Sequence, residues 1–222
     1  MKNIILLAPP ATGKGTLAKA LKDMYGYEHI STGDMLREAV EKGDELGKKL
    51  DEIMKSGNLV SDDLIYQLLE NRLKEINGKG YILDGFPRNV AQAEKYEEIA
   101  TRINSDLAIV ILMDIDKEEL KIRCTGRRSC PKCGRIYNVY NPEIQPKDNK
   151  LCLDCDVEVI QREDDNIKTF ERRYSTYLEK TQPLIDYYSN KNNLYKIYAG
   201  GKKEETLEKA LALLNSLGEK VD

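Results

Sequence analysis

The sequence predicts an α/β fold: a three-layer P-loop core, with a parallel sheet between helical layers, interrupted by a helical insertion and a small cysteine-bearing one. Three observations carry this reading. Apolar strand-like runs at residues 2–7, 81–83, 107–113 and 194–198 are separated by helix-like stretches. That alternation gives parallel strands covered on both faces. Gly13-Lys14-Gly15-Thr16 follows the first run and opens a helix, the setting in which backbone amides and a lysine hold phosphate oxygens. Segments 31–60 and 127–164 break the strand–helix rhythm and read as insertions at the edge of one core.

The elements follow in chain order. Residues 8–15, with Pro9, Pro10 and Gly13, leave the first strand as a loop, and 16–24 has helical periodicity. Segment 31–60 is mostly helical and polar, with no strand of its own. Ser61, Asp62 and Asp63 start a helix that sets Leu64, Ile65, Leu68, Leu69 and Leu73 on one face. Asp116-Lys117-Glu118-Glu119 has the form of a capping box opening another helix. Segment 127–164 holds four cysteines, Tyr137, Tyr140 and turns at Pro142 and Pro146. The last helix, 203–217, repeats Leu207, Ala210, Leu211 and Leu214. There is no internal repeat and no low-complexity tract.

Of the 222 residues, 41% are hydrophobic and 33% charged, an ordinary composition for an ordered globular chain. Lys and Arg number 35 against 38 Asp and Glu, for a net charge of −3, which argues against a duplex-coating basic surface. The apolar runs are too short to span a bilayer. The N-terminus enters a strand-like run by Asn3, leaving no room for a secretory n-region and cleavage site. A cytoplasmic monomer is therefore expected, with no heptad or exposed apolar patch readable. His29 is the only histidine, which argues against any histidine-activated nucleophile.

Four cysteines fall as Cys130-Pro-Lys-Cys133 and Cys152-Leu-Asp-Cys155. Two Cys-x-x-Cys turns are the pattern of a four-thiolate zinc site, and four protein ligands leave no open coordination position, so the ion is structural. The competing reading, two disulfides, lacks an oxidising context. A unit of this size is at the limit of what an apolar core stabilises, and metal binding supplies the missing cohesion. Cys124 stands apart in a helical stretch and reads as a small buried residue.

In the phosphate loop, Ala8 stands where the general motif has glycine, and Ala11 where a further glycine is expected. Either Ala8 takes an ordinary backbone conformation or the loop has lost function.

Further segments follow the loop in order: Ser31-Thr-Gly-Asp-Met-Leu-Arg37, Leu83-Asp-Gly-Phe-Pro-Arg88, Gly126-Arg-Arg128, and Arg162-Glu-Asp-Asp165 followed by Arg173. Together they resemble the adenylate kinase family over residues 3–183, and the cysteines match its long-form, zinc-lid branch. The loop departs from the family, reading Ala8-Pro-Pro-Ala11-Thr where it usually has Gly-x-Pro-Gly-x. The resemblance implies a core of residues 1–30, 61–126 and 165–222, an AMP-binding domain at 31–60 and a zinc lid at 127–164. It implies an enzyme that reversibly transfers a phosphoryl group from Mg-ATP to AMP, giving two ADP. Its partners are then ATP, AMP and ADP, with neither nucleic acid nor membrane.

By the same resemblance, Lys14, Arg88, Arg123, Arg162 and Arg173 are the catalytic cations. ATP is held by Ala11, Thr12, Gly13, Lys14, Gly15, Thr16, Arg123, Arg127, Ile136, Tyr137 and Lys202. AMP is held by Thr32, Arg37, Asn58, Leu59, Val60, Gly85, Phe86, Pro87, Arg88, Gln92, Arg162 and Arg173. Asp84 orients water around Mg²⁺, with the capping of the next turn as its alternative. For Tyr137 the alternative is core packing of the cysteine unit. Asp164 and Asp165 read as helix-capping and hinge residues. Arg123 and Arg127, four apart, share one face if their helix continues.

This residue set suits the chemistry. The acceptor is a phosphate monoester, anionic at pH 7 because its second pKa is about 6, so no general base is required. The obstacle is repulsion, about 4 kcal/mol for unit charges about 4 Å apart at an effective dielectric of about 20. Positioning and charge neutralisation then supply most of the catalysis, and a closing lid keeps water from the phosphoryl group. Three alternatives remain. One is a zinc-ribbon nucleic-acid module beside Arg127, Arg128 and Arg135, opposed by Asp148, Asp154, Asp156 and Glu158. The second is a relative impaired by Ala8 and Ala11, and the third a kinase for another nucleoside monophosphate or a GTP donor.

Overall fold

A computed structural model describes residues 1–55, 60–76, 78–161 and 165–219. Five parallel strands form the central sheet: β1 (Ile4–Leu7), β2 (Glu28–Ser31), β3 (Tyr81–Asp84), β4 (Ile109–Asp114) and, at the far edge, Leu194–Tyr198. The last is β7, because a two-stranded hairpin of β5 (Arg127–Ser129) and β6 (Ile136–Asn138) precedes it. The order across the sheet is β2-β3-β1-β4-β7, with Ile5 opposite both Leu83 and Val110.

Strand side chains alternate between faces, so the continuous apolar runs feed two cores. One face carries Ile4, Leu6, Ile82, Ile111 and Ile197 against α1 (Lys14–Tyr25) and α8 (Lys203–Ser216). The other carries Ile5, Leu83, Val110 and Leu112 against α4 (Asp62–Ile76), α5 (Val90–Arg102) and α7 (Ile167–Asn190). This is the three-layer parallel arrangement expected. The sequence reading missed β2. Its four residues, Glu-His-Ile-Ser, bury only Ile30 outright, as befits a short edge strand.

Between β2 and α4 lie α2 (Thr32–Glu41) and α3 (Glu45–Lys55), packed on each other, as the helical insertion requires. After β4, α6 (Lys117–Gly126) leads into the β5–β6 hairpin and a 3-10 turn at Pro142–Ile144. The hairpin unit has its own small core of Cys130, Tyr137, Cys152 and Val159. Among the described residues no helix is long and apolar enough to cross a membrane.

Three local expectations are corrected. Asp116 does precede α6 but makes no side-chain cap; its carboxylate accepts from Tyr198 Oη at 3.1 Å, and Glu119 turns to other partners. Arg127 is not on the α6 face, because the helix ends at Gly126 and Arg127 pairs with Asn138 in the hairpin. The chain crosses so closely here that a Cβ on Gly126 would lie 2.2 Å from Asn138 Oδ1. Helix α7 is capped by Asn166, whose side chain accepts from the Thr169 amide, and not by Asp165.

Candidate active site

The carboxyl ends of parallel strands share one rim, where ligands of open α/β sheets bind. The loop from β1 to α1 lies there. Gly13 caps α1 with φ 102°, a conformation that favours glycine, and its carbonyl receives the Thr16 and Leu17 amides. Buried Thr12 closes the loop from within, its hydroxyl donating to Pro9 O at 2.7 Å. Ala8 is not among the positive-φ residues, which settles its conformation as ordinary. Ala11 does adopt the left-handed region, at φ 67°. That conformation costs a non-glycine residue about 1–2 kcal/mol. Its methyl packs on the cluster of Ile115, Leu120, Cys124 and Phe170, and burying one such group returns roughly 0.8 kcal/mol.

Half-buried Lys14, the first residue of α1, donates to Ala8 O at 3.3 Å. Its ammonium pKa is lowered, first by burial; Asp84 opposes this, while Arg88 and Arg173 add to it. Those influences draw residues from α1, β3, the turn after β3 and α7 into one electrostatic neighbourhood. Asp84 ends β3, and its Oδ2 is 3.4 Å from His29 Nε2 and 3.9 Å from where a Cβ on Gly15 would stand.

Next to it, Arg88 Nε donates to Gly85 O at 2.7 Å, and Nη2 lies 3.4 Å from Thr32 Oγ1. Buried Gln92 is held at both ends of its amide. Its Oε1 accepts from the Arg88 amide and its Nε2 donates to Asp62 Oδ1, each at 2.8 Å. Phe86 and Pro87, joined by a cis peptide, are buried, so their side chains support this corner from the core. Arg123 reaches the phosphate loop from α6, with Nη1 on Thr12 O at 3.1 Å.

Other expected residues stand apart. Exposed Arg37 pairs with Asp34 one turn back and is not among the charges acting on Lys14. Exposed Lys202 bonds Glu143 at 2.6 Å. Ile136 is 42% exposed, whereas Tyr137 is 1% exposed, its hydroxyl donating to Cys152 Sγ at 3.2 Å. The Tyr137 side chain thus forms part of the packing of the cysteine unit. Val60 is half-buried; Asn58, Leu59, Arg162 and Asp164 lie outside the described residues. Two surface hollows are elsewhere: one at Glu28, Arg72 and Lys79, the other along the outer face of α5.

Arg127 forms a bidentate pair with the buried carboxylate of Asp165, with Nε donating to Oδ2 at 2.8 Å. The pair ties the chain entering the cysteine unit to the chain leaving it, with Cys124 Sγ beside it at 3.8 Å. Asp165→Asn keeps the shape and loses the charge, with an expected cost of about 1–3 kcal/mol. Melting should fall by roughly 2–10 °C; unchanged melting would contradict the pairing.

The thiols of Cys130, Cys133, Cys152 and Cys155 all lie within 4.8 Å of one another, and none is in a disulfide. Each Cys-x-x-Cys turn is built alike. The first cysteine's carbonyl accepts at 3.0 Å from Gly134 N in one and Asp156 N in the other, both residues having positive φ. Burial opposes ionisation of Cys152, yet hydrogen bonds from Tyr137, the Asp154 amide and neighbouring thiols lower its pKa to about 6. Cys155 is pushed up to about 12, mainly by its thiol neighbours. Four thiols this close ionise together only around a cation, so the donor set fits a tetrahedral metal.

Sequence reasoning missed the site contacts of Glu119, His29 and Asp62; it read Glu119 and Asp62 only as helix-start residues, because those contacts arise from tertiary approach. The family model described as adenylate kinase matches residues 6–193. Adenylate kinase from Kosmotoga olearia is 49% identical over 216 residues, covering 97% of this chain and all of its own. Adenylate kinase from Thermotoga petrophila is 48% identical over 199 residues, 89% of this chain and 90% of its own. That from Fervidobacterium nodosum is 43% identical over 217 residues, 97% of each. With its phosphate loop, its cationic rim and these matches along nearly its whole length, the chain belongs to the adenylate kinase family.

Proposed function

We propose that the protein catalyses reversible phosphoryl transfer between Mg-ATP and AMP, giving two ADP, with Lys14, Arg88 and Arg173 as the central cations. The observation carrying this reading is the geometry of the phosphate loop: Lys14 bonded to Ala8 O, Asp84 beside Gly15, Arg123 on Thr12 O and Arg88 beside Thr32, with Arg88 and Arg173 acting on the Lys14 charge. A phosphate oxygen of AMP attacks the terminal phosphorus of ATP. A new O–P bond forms as the bridging bond breaks, and its electron pair leaves on the β-phosphate of the departing ADP. No proton need move, which suits a rim rich in cations with one histidine.

In this reading Ala11 through Thr16 wrap the donor phosphates with backbone amides, and Lys14 follows the group in flight. Arg88 clamps the acceptor phosphate, its planar fork suited to two oxygens. Thr32 and Gln92, hydrogen-bonded around Arg88, face the acceptor, with Arg37 joining when nucleotide arrives. Arg123, Arg127 and Lys202 serve the donor side, and Arg162 joins Arg173 on the acceptor. Asp84 would hold water around Mg²⁺, which supplies charge neutralisation between the phosphates when bound. Segment 127–164 acts as the lid, with Cys130, Cys133, Cys152 and Cys155 holding structural zinc.

The nucleic-acid reading finds little support, because Arg135 is paired with Asp154 and Arg127 with Asp165. The test is a coupled assay of purified protein with Mg-ATP or Mg-GTP against AMP, CMP, UMP and GMP. ADP should form from ATP and AMP in preference to the other pairs; no ADP from that pair would sink the proposal.

A further inference from the structure

Glu119 lies in the first turn of α6, four residues before Arg123 and on the same helix face. Its Oε1 accepts from Arg123 Nη2 at 2.6 Å and from the Gly201 amide at 3.3 Å. Arg123 Nη2 also donates to Gly201 O at 2.9 Å, while Nη1 donates to Thr12 O. One guanidinium is thus held from its own helix, from the phosphate loop and from the turn between β7 and α8. A single carboxylate oxygen fixes two of those three elements. We infer that Glu119 is a positioning residue for the donor-nucleotide end of the site, acting through Arg123 and the Gly201 turn.

The alternative is a solvated ion pair, and the two differ in sign. Glu119 is 34% exposed and Arg123 26%, so the pair adds little to folding stability. Taken as charge alone, a carboxylate at this rim repels a polyphosphate, and removing it should tighten donor binding. Taken as a positioner, it keeps a long, rotamer-rich side chain aimed, and removing it should weaken donor binding. The two hydrogen bonds converging on Oε1, one of them from backbone, favour the second.

The inference rests on the donor reading of the phosphate loop, so the test includes a measurement independent of turnover. Binding of a non-hydrolysable Mg-ATP analogue is measured by calorimetry, alongside KM for ATP and AMP, in Glu119→Ala and Glu119→Gln. Glu119→Ala should raise the analogue Kd and the ATP KM about five- to tenfold, the loss of one charge-assisted hydrogen bond at a half-exposed site. The AMP KM should stay within about twofold, since the acceptor-side residues Arg88, Thr32 and Gln92 are held by Gly85, Asp62 and one another. Glu119→Gln, which keeps an acceptor oxygen, should recover most of the donor affinity. In an Arg123→Ala background, Glu119→Ala should add nothing further. Unchanged or tighter analogue binding, a parallel rise in AMP KM, or full additivity with Arg123→Ala would overturn the inference. Failure of the unsubstituted protein to make ADP would instead overturn the transferase reading, leaving the analogue Kd to judge Glu119.

Discussion

Lys14→Met is expected to lower kcat by about two to three orders of magnitude, the usual effect of deleting a preorganised cation from a charge-developing transition state. It should do so without weakening the fold. Lys14 is half-buried and its pKa is lowered chiefly by desolvation, so at neutral pH the folded protein carries an ammonium it solvates poorly. Between the lowered folded pKa and the unfolded value of 10.5, the unfolded chain binds more protons. Stability attributable to Lys14 therefore rises with pH through that window, and below it the cost of the buried charge is constant. Methionine removes that cost. Thermal melting at pH 7 should show the variant at least as stable as its parent. Activity has the opposite slope: kcat/KM, which reports the free enzyme, should decline on the alkaline side before pH 10.5 as the ammonium is lost. A variant retaining more than about a tenth of parental kcat would contradict the assigned role.

Removal of metal should act on stability more than on chemistry. Among the described residues, the buried apolar core of the cysteine unit is small, with Cys130, Tyr137, Cys152 and Val159, two of them thiols that would be ligands. Zinc binding to small four-ligand modules is worth about 10–16 kcal/mol in isolated peptides. If only about 3–5 kcal/mol of this reaches the global transition, melting falls by roughly 10 °C for a chain of this size. Chelation and Cys130→Ala should each produce that fall, read by calorimetry, and zinc released on unfolding should be stoichiometric in a colorimetric assay. The kcat should drop less than in Lys14→Met, because Lys14, Asp84, Arg88 and Arg173 all lie outside the unit. Unchanged melting would defeat the structural-metal assignment.

Much of the fold was legible because each buried strand is a compact apolar run, and parallel strands covered on both faces need that pattern. β2 was not, since an edge strand of Glu-His-Ile-Ser carries one core residue and no periodicity to detect. Motif positions located Lys14, Asp84 and Arg88, but not the state of each side chain. Arg127 looked like a helical neighbour of Arg123, whereas the helix ends at Gly126 and Arg127 turns extended to pair with Asn138. Glu119 looked like part of a cap because its spacing from Asp116 is right. Its actual partners, Arg123 and Gly201, include a turn far away in sequence, which local pattern cannot report.

The methyl of Ala11 is seated on Ile115, Leu120, Cys124 and Phe170, so apolar contact supports the left-handed bend of the phosphate loop. Under the proposed reading, a loop shaped in advance asks less ordering entropy of an incoming triphosphate. With alanine at a left-handed position where glycine is customary, the shape of the loop rests on side-chain packing as well as on backbone freedom.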